Sequence, residues 1–266
     1  ANTAPRPVIE IIKELFEGAG YKLTYKVMDA TEAGVPQLRK RLLIVGHRGS
    51  EYPHLEWPVA PSPLPTIRAI LTSTLEGAME LPALYKPAEQ PARFWIGTNE
   101  SAPTGTPHPN LVRLVGGIRN LSGKEKKEAG LGAKDRVPFT EPGGLISFGV
   151  RKGGYHGQVL DPDGPSKTII CAYNQCPRLF VGLHNAATGK YYVRCLTVEE
   201  CGQIQGFPAD YPWKGATKDK IVQIGNAVPP PLAAAISKAI AGARFEKTPQ
   251  VYASEGGDDE SDEEDE

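Results

Sequence analysis

No CxxC pair, no apolar run of membrane length and no secretory leader occur in the 266 residues, and each gap removes a class of protein. Four cysteines, Cys171, Cys176, Cys195 and Cys201, without paired spacing suit a reducing compartment. The five histidines do not cluster with them, which argues against zinc, and no metal is expected. Without a leader or a span, a soluble intracellular protein with no membrane partner is expected. No internal repeat is present.

What the chain does hold is glycine, proline and a hidden charge polarity. The 29 Gly and 25 Pro concentrate in the middle, with "PVAPSPLP" and "PTGTPHP" as the clearest breaks. The formal net charge of −1 conceals an acidic end, "EGGDDESDEEDE", residues 255 to 266, with nine acidic groups. Setting these aside leaves 30 basic against 22 acidic groups, a body of about +8 that favours a polyanionic partner. The tail reads as disordered and hints at a nuclear or viral setting.

Residues 7 to 17, "PVIEIIKELFE", place Val8, Ile11, Ile12, Leu15 and Phe16 on one helical face after Pro7. "YKLTYKVMD" and "RLLIVGH" read as strands joined by a turn, and a short helix is expected over 66 to 77. Residues 80 to 190 change character: runs such as "GLISFGV", "KTIICAY" and "RLFVGL", broken by Gly, Pro and Asn, predict a small irregular β-rich domain. From Leu196 helices return. Thr197 and Glu200 form a capping box, and "NAVPPPLAAAISKAIAGAR" opens a helix with prolines in its first turn, where missing N–H groups cost little.

The stretch "GVPQLRKRLLIVG", residues 34 to 46, sets Gln37, Arg39 and Arg41 at alternate positions ahead of an apolar run. In a strand these three share one face, and Leu42 to Val45 reads as buried on both sides. Two readings stand: ion pairs at a sheet edge, or a site for a phosphate or a polar base edge, to which the planar guanidinium is suited.

Three ordered motifs bear on that choice. "GVPQLRKRLLIVG" resembles the eighth motif of the DNA (cytosine-5) methyltransferases, with its QxRxR core. "RCLTVEECGQIQGFPADY", residues 194 to 211, is similar to the ninth, and "QIGNAVPPPLAAAI", residues 223 to 236, to the tenth. "VLDPDGPSKTII" resembles the segment that closes the family's target-recognition domain. The resemblance implies an α/β, class I S-adenosylmethionine-dependent methyltransferase (Rossmann-like) sheet with an inserted β-rich recognition domain. Its substrate would be double-stranded DNA and its cofactor S-adenosyl-L-methionine, the reaction being methyl transfer to C5 of cytosine. The expected domains are 1–79 and 191–245 in the catalytic part, 80–190 for recognition, and 246–266 as the acidic tail.

By the same resemblance Arg41 would contact the cytosine O2, Arg39 a backbone phosphate, and Gln37 the pocket wall. Asn226, Ala227 and Val228 would lie on the cofactor, although Asn226 also reads as a helix cap. Thr168 matches the small polar residue that precedes an aliphatic one, here Ile169. Arg151, Lys152 and Tyr155, with His156, suit either a loop entering a DNA groove or a solvated turn. Lys124, Lys126 and Lys127 read as a solvated face. The family's Pro-Cys nucleophile, its Glu-Asn-Val motif and its Gly-rich cofactor loop do not occur here; "QCPR" at Cys176 has the reverse order, and "EAGLG" does not follow a strand. With Ala1 running almost directly into a helix, the expectation is a C-terminal half that meets a missing N-terminal catalytic half, in the same polypeptide or a separate subunit. The alternative is a noncatalytic DNA-binding or regulatory module derived from such an enzyme. An RNA-binding protein would need aromatic stacking motifs that are not evident.

Overall fold

Turn chemistry and hydrophobic alternation lay out the fold, which the computed structural model describes for residues 7–82, 85–116, 139–140, 146–149 and 156–250. Contacts divide the chain into two units. One comprises Ala1–Met28, Leu42–Trp57 and Ile236–Glu266; the other comprises Asp29–Arg41 and Pro58–Ala235.

In the first unit the amphipathic run becomes helix α1, Val8–Gly18, entered through Pro7 and left by Ala19. None of its residues is buried, and Val8 and Leu15 are 71% and 69% exposed. Strand β1, Tyr21–Asp29, pairs with β2, Lys40–Arg48, in a two-stranded sheet. Here the expected burial on both faces is corrected: Leu42 and Ile44 are exposed, and Leu43 and Val45 are half-buried. Among the described residues β2 has β1 as its sole strand partner, so the "LLIV" run keeps open surface. Strand β3, Tyr52–His54, pairs antiparallel with β11, Arg244–Glu246, and the Gln250 amide closes on both backbone groups of Leu55 at 2.9 and 2.8 Å.

The second unit is built on a seven-stranded mixed sheet. Its strands are β4 (Met79–Glu80), β5 (Trp95–Gly97), β6 (Phe139–Thr140), β7 (Ile146–Gly149), β8 (His156–Val159), β9 (Leu179–Asn185) and β10 (Lys190–Cys195). The order is β4-β10-β9-β8-β7-β6, with β5 and β8 sharing one edge of β9, both parallel to it. Strand β9 is apolar and buried from Leu179 to Leu183 because both its faces are covered there. Leu179, Val181 and Leu183 point into a core shared with Ile169, Ile204, Ile221 and Ile224, while Phe180 joins Leu111, Leu114 and Val115 on the other side. Each such side chain, fully buried, contributes roughly 1.5–3 kcal/mol. The helices of these two layers are α2 (Pro109–Gly116), α3 (Val198–Ile204), α4 (Thr217–Asn226) and the start of α5 (Pro230–Ala241).

Two sequence expectations differ from what forms. Residues 66 to 77 make a turn at Arg68–Ile70 and then run without helix. Their backbone is claimed from outside: the Thr72 N–H donates to Glu200 at 2.7 Å, and the Thr72 and Thr74 carbonyls accept from Arg194 at 2.7 and 2.9 Å. Helical bonds cannot form while those groups are taken. "KTIICAY" is likewise no strand, the bridge lying at Ser166 just before it; its Ile169 carbonyl and N–H are engaged by side chains rather than a neighbouring strand. Among the described residues no helix is long and apolar enough to cross a membrane.

Candidate functional site

The site begins at a turn. Asp29 caps it, accepting from the Thr31 N–H at 3.1 Å and from the Arg39 N–H at 3.3 Å, while its own N–H donates to Glu32 at 2.8 Å. Gly34, at φ 77°, supplies the left-handed step that sends the chain back. Residues 36 to 38 then lie parallel to Ser166, with Ser166 N–H on the Pro36 carbonyl and Leu38 N–H on the Ser166 carbonyl, at 2.9 and 2.8 Å.

Past this bridge, burial alternates: Gln37 and Arg39 are buried, Leu38 and Lys40 exposed. Arg41 breaks the alternation and is exposed. The Gln37 carbonyl oxygen accepts the Ile169 N–H at 3.2 Å, and its NH2 donates to the Gln205 carbonyl oxygen at 2.6 Å. Gln205 in turn donates to the Ile224 and Ala227 carbonyls, both at 3.0 Å. Arg39, expected on a phosphate, donates to the Ile169, Gly225 and Ala227 carbonyls at 3.1, 2.9 and 3.4 Å. Its pKa is lowered, chiefly by burial and then by the charge of Arg41.

These bonds answer a need of helix α4. Its last carbonyls have no partner within the helix, and its last turn carries no basic residue. Arg39 supplies the cation that the negative helix end favours. Close approach here depends on Gly225: a Cβ there would lie 2.3 Å from the Cys171 nitrogen and 2.6 Å from the Ile170 carbonyl carbon, so helix backbone packs directly on the 170–171 backbone.

What remains open is informative. Asn226 is exposed, and among the described residues its amide has no hydrogen-bond partner; Val228 is 61% exposed and Ala227 half-buried. Asn226 ends α4 rather than capping the helix that follows the prolines. Arg41 donates only to the Lys40 carbonyl, at 2.7 Å, and has no carboxylate partner among the described residues. Thr168 is half-buried and its hydroxyl donates to the Leu38 carbonyl at 2.7 Å, next to the QxRxR segment. Arg151, Lys152, Tyr155, Lys124, Lys126, Lys127 and the acidic tail lie outside the described residues.

Gln205 and Gly225 escaped sequence reasoning, as did the second face of Glu200. That capping residue also ion-pairs with Arg194 at 2.7 Å, and the two side chains are 0% and 1% exposed. An amide closing an amphipathic helix just before "GFP" was the available signal for Gln205.

The cysteines take no evident part. Burial pushes the Cys195 thiol up to about 12 and the Cys201 thiol well above its ordinary value. Both stay protonated near neutrality. Iodoacetamide at pH 7.5 should therefore alkylate exposed Cys171 and spare Cys195 and Cys201 in the native chain, with all four modified in denaturant, as read by peptide mass spectrometry. Rapid native labelling of Cys195 would contradict this. Among the described residues no group of three His, Cys, Asp or Glu could hold a metal ion.

Comparison with known proteins sets this geometry in context. The sequence profile of the C-5 cytosine-specific DNA methylases matches residues 2–242. The chain is 29% identical over 237 residues to the type II methyltransferase M.MthTI of Methanothermobacter thermautotrophicus, covering 88% of this chain and 60% of that protein. It is 31% identical over 242 residues to M.PspPI of Psychrobacter sp. (strain TA137), covering 87% and 49%. Among solved structures, that of a Spodoptera frugiperda DNMT2 mutant aligns at 12% identity and a TM-score of 0.45, covering 89% of this chain and 62% of that one. The chain thus spans about half to three-fifths of the length of these curated relatives. One expectation is overturned. The chain is not confined to a C-terminal half, since the match starts at residue 2 and the relatives align along nearly nine-tenths of the chain, its N-terminal region included.

Proposed function

The chain belongs to the C-5 cytosine-specific DNA methylase family, and on that footing we propose that it holds an extruded cytosine beside the methyl donor on duplex DNA. Enzymes of this family use S-adenosyl-L-methionine, whose sulfonium supplies an electrophilic methyl group. One observation carries the reading. The buried Gln37–Arg39–Gln205 network ties the segment that leads into Arg41 to the helix end that bears Asn226, and leaves Asn226 without a side-chain partner and Arg41 with only its neighbour's carbonyl, among the described residues.

Each free group suits its task. Asn226 offers both a donor and an acceptor, the set needed by the amino-acid end of the donor, with Ala227 and Val228 beside it. Arg41 presents a planar cation to the cytosine O2. When a nucleophile adds to C6, electron density moves toward N3 and O2, and a cation at O2 stabilises it. Thr168 and the segment with Arg151, Lys152 and Tyr155 face the DNA, and residues 80–190 carry target recognition. Arg39 serves the phosphates only through the segment it steadies, since both its terminal nitrogens donate to carbonyls and its Nε is buried. None of the four cysteines follows a proline, and none is assigned as the nucleophile.

That last fact also favours a second reading, a family member that binds DNA without methylating it. Tritiated-methyl transfer to duplex DNA by the native protein separates the two. Transfer that depends on Arg41 supports the enzyme; binding of DNA and S-adenosylmethionine without transfer supports the second reading. Asn226→Ala should raise the S-adenosylmethionine concentration needed about tenfold with target preference unchanged, the size of one lost polar contact. An altered target preference would place Asn226 on the DNA side.

The tail should act electrostatically. Deleting residues 255 to 266 is expected to tighten nonspecific duplex binding at low salt, with the gain shrinking as salt rises. Coincident isotherms for both forms at low ionic strength would reject this.

A further inference from the structure

We propose that Gln205 is a positioning residue that sets the spacing between the segment carrying Arg41 and the helix end carrying Asn226. The inference rests on the roles proposed for those two residues. Gln37 and Gln205 are 0% exposed, lie 168 positions apart in the chain, and meet at 2.6 Å. Both ends of each amide are used: Gln37 accepts from the Ile169 N–H, and Gln205 donates to the Ile224 and Ala227 carbonyls that bracket Asn226.

The demand on position 205 is chemical. It must accept one hydrogen bond and donate two, which a primary amide does and neither a carboxylate nor a thioether does. Arg39 grips the same helix end, at Gly225 and Ala227, but makes no bond to Gln37. Two independent clamps therefore hold one helix terminus, as fixing both its position and its rotation requires. Removing Gln205 leaves the Arg39 clamp, so the terminus stays attached yet is free to pivot. The expected loss falls on the simultaneous placement of base and methyl donor, rather than on either alone.

The test uses the full 266-residue chain, S-adenosylhomocysteine as cofactor probe, and a duplex with one extrahelical cytosine. Gln205→Met and Gln205→Glu should each leave the two separate affinities within about threefold and weaken the ternary complex at least about tenfold. The double variant with Gln37→Met should lose less than the sum of the two single losses, because the bond between the two amides is removed by both. Leu183→Ala, a core change in β9, serves as the control for lowered melting temperature. If Gln205→Met weakens the ternary complex no more than that control, Gln205 is an ordinary buried amide and the inference is overturned. If Asn226→Ala leaves the S-adenosylhomocysteine affinity unchanged and Arg41→Ala leaves methyl transfer unchanged, the reading of the site falls first and the spacing role with it.

Discussion

Replacing Arg41 by alanine is expected to lower methyl transfer by the native protein about 100-fold while changing its affinity for duplex DNA less than about threefold. The asymmetry follows from what the side chain would touch. Duplex affinity is spread over many phosphates facing a body of about +8, so one exposed cation counts for little. Methyl transfer depends on charge that develops on a single base, and there one cation counts for much. Arg41 is poised for this: it is exposed, has no carboxylate to release, and sits near enough to Arg39 for their charges to interact. Arg41→Lys should recover only part of the rate, because an ammonium lacks the planar pair of donors. Equal losses in binding and turnover would instead make Arg41 a phosphate anchor.

The second large effect is on stability. Glu200→Ala is expected to cost about 3–5 kcal/mol, since it strands the buried Arg194 guanidinium and frees the Thr72 and Thr197 N–H groups together. Burial alone would raise the Glu200 carboxyl. The hydrogen bond and charge of Arg194, with the two backbone donors, outweigh it and hold the group below its ordinary value. A depressed carboxyl contributes stability above its unfolded pKa of about 4.3 and loses it as pH falls through the folded value. Acid titration of the melting temperature should therefore show a fall in the wild type that Glu200→Gln lacks at this group. Equal melting temperatures for Glu200→Ala and wild type at pH 7 would show that the pair contributes nothing.

The parts of this molecule legible in its sequence are those where local chemistry decides. Pro7 and the spacing of Val8, Ile11 and Leu15 suffice for α1; Thr197 and Glu200 suffice for the start of α3; the prolines suffice for the start of α5. Residues 66 to 77 misled because their periodicity is sound and the competing partners, Arg194 and Glu200, lie some 120 positions away. Gln37 and Arg41 drew attention through their alternation, but nothing local reveals that Gln37 is paired with Gln205 or that Arg39 spends its donors on carbonyls. Burial of "LLIV" was inferred from composition, which reports a need for cover and not the cover itself.

The bridge between Pro36–Leu38 and Ser166 governs how this protein could be rebuilt with a different target preference. A graft of residues 80–190 from a relative would tear Ser166, Thr168 and Ile169 from Gln37 and Leu38 and replace them with segments fitted to another host. A downstream seam between Gly164 and Pro165 keeps the host's own fastening. The donor's strands would then join β9 through main-chain bonds, which tolerate exchange of side chains. The exacting point is Gly182, where a Cβ would come within 2.9 Å of the Trp95 ring, so a host glycine here leaves room for a bulky donor residue. Chimeras cut at Gly164 should fold where those cut at 190 precipitate, and the joinery rather than the recognition loops would set which specificities can be transplanted.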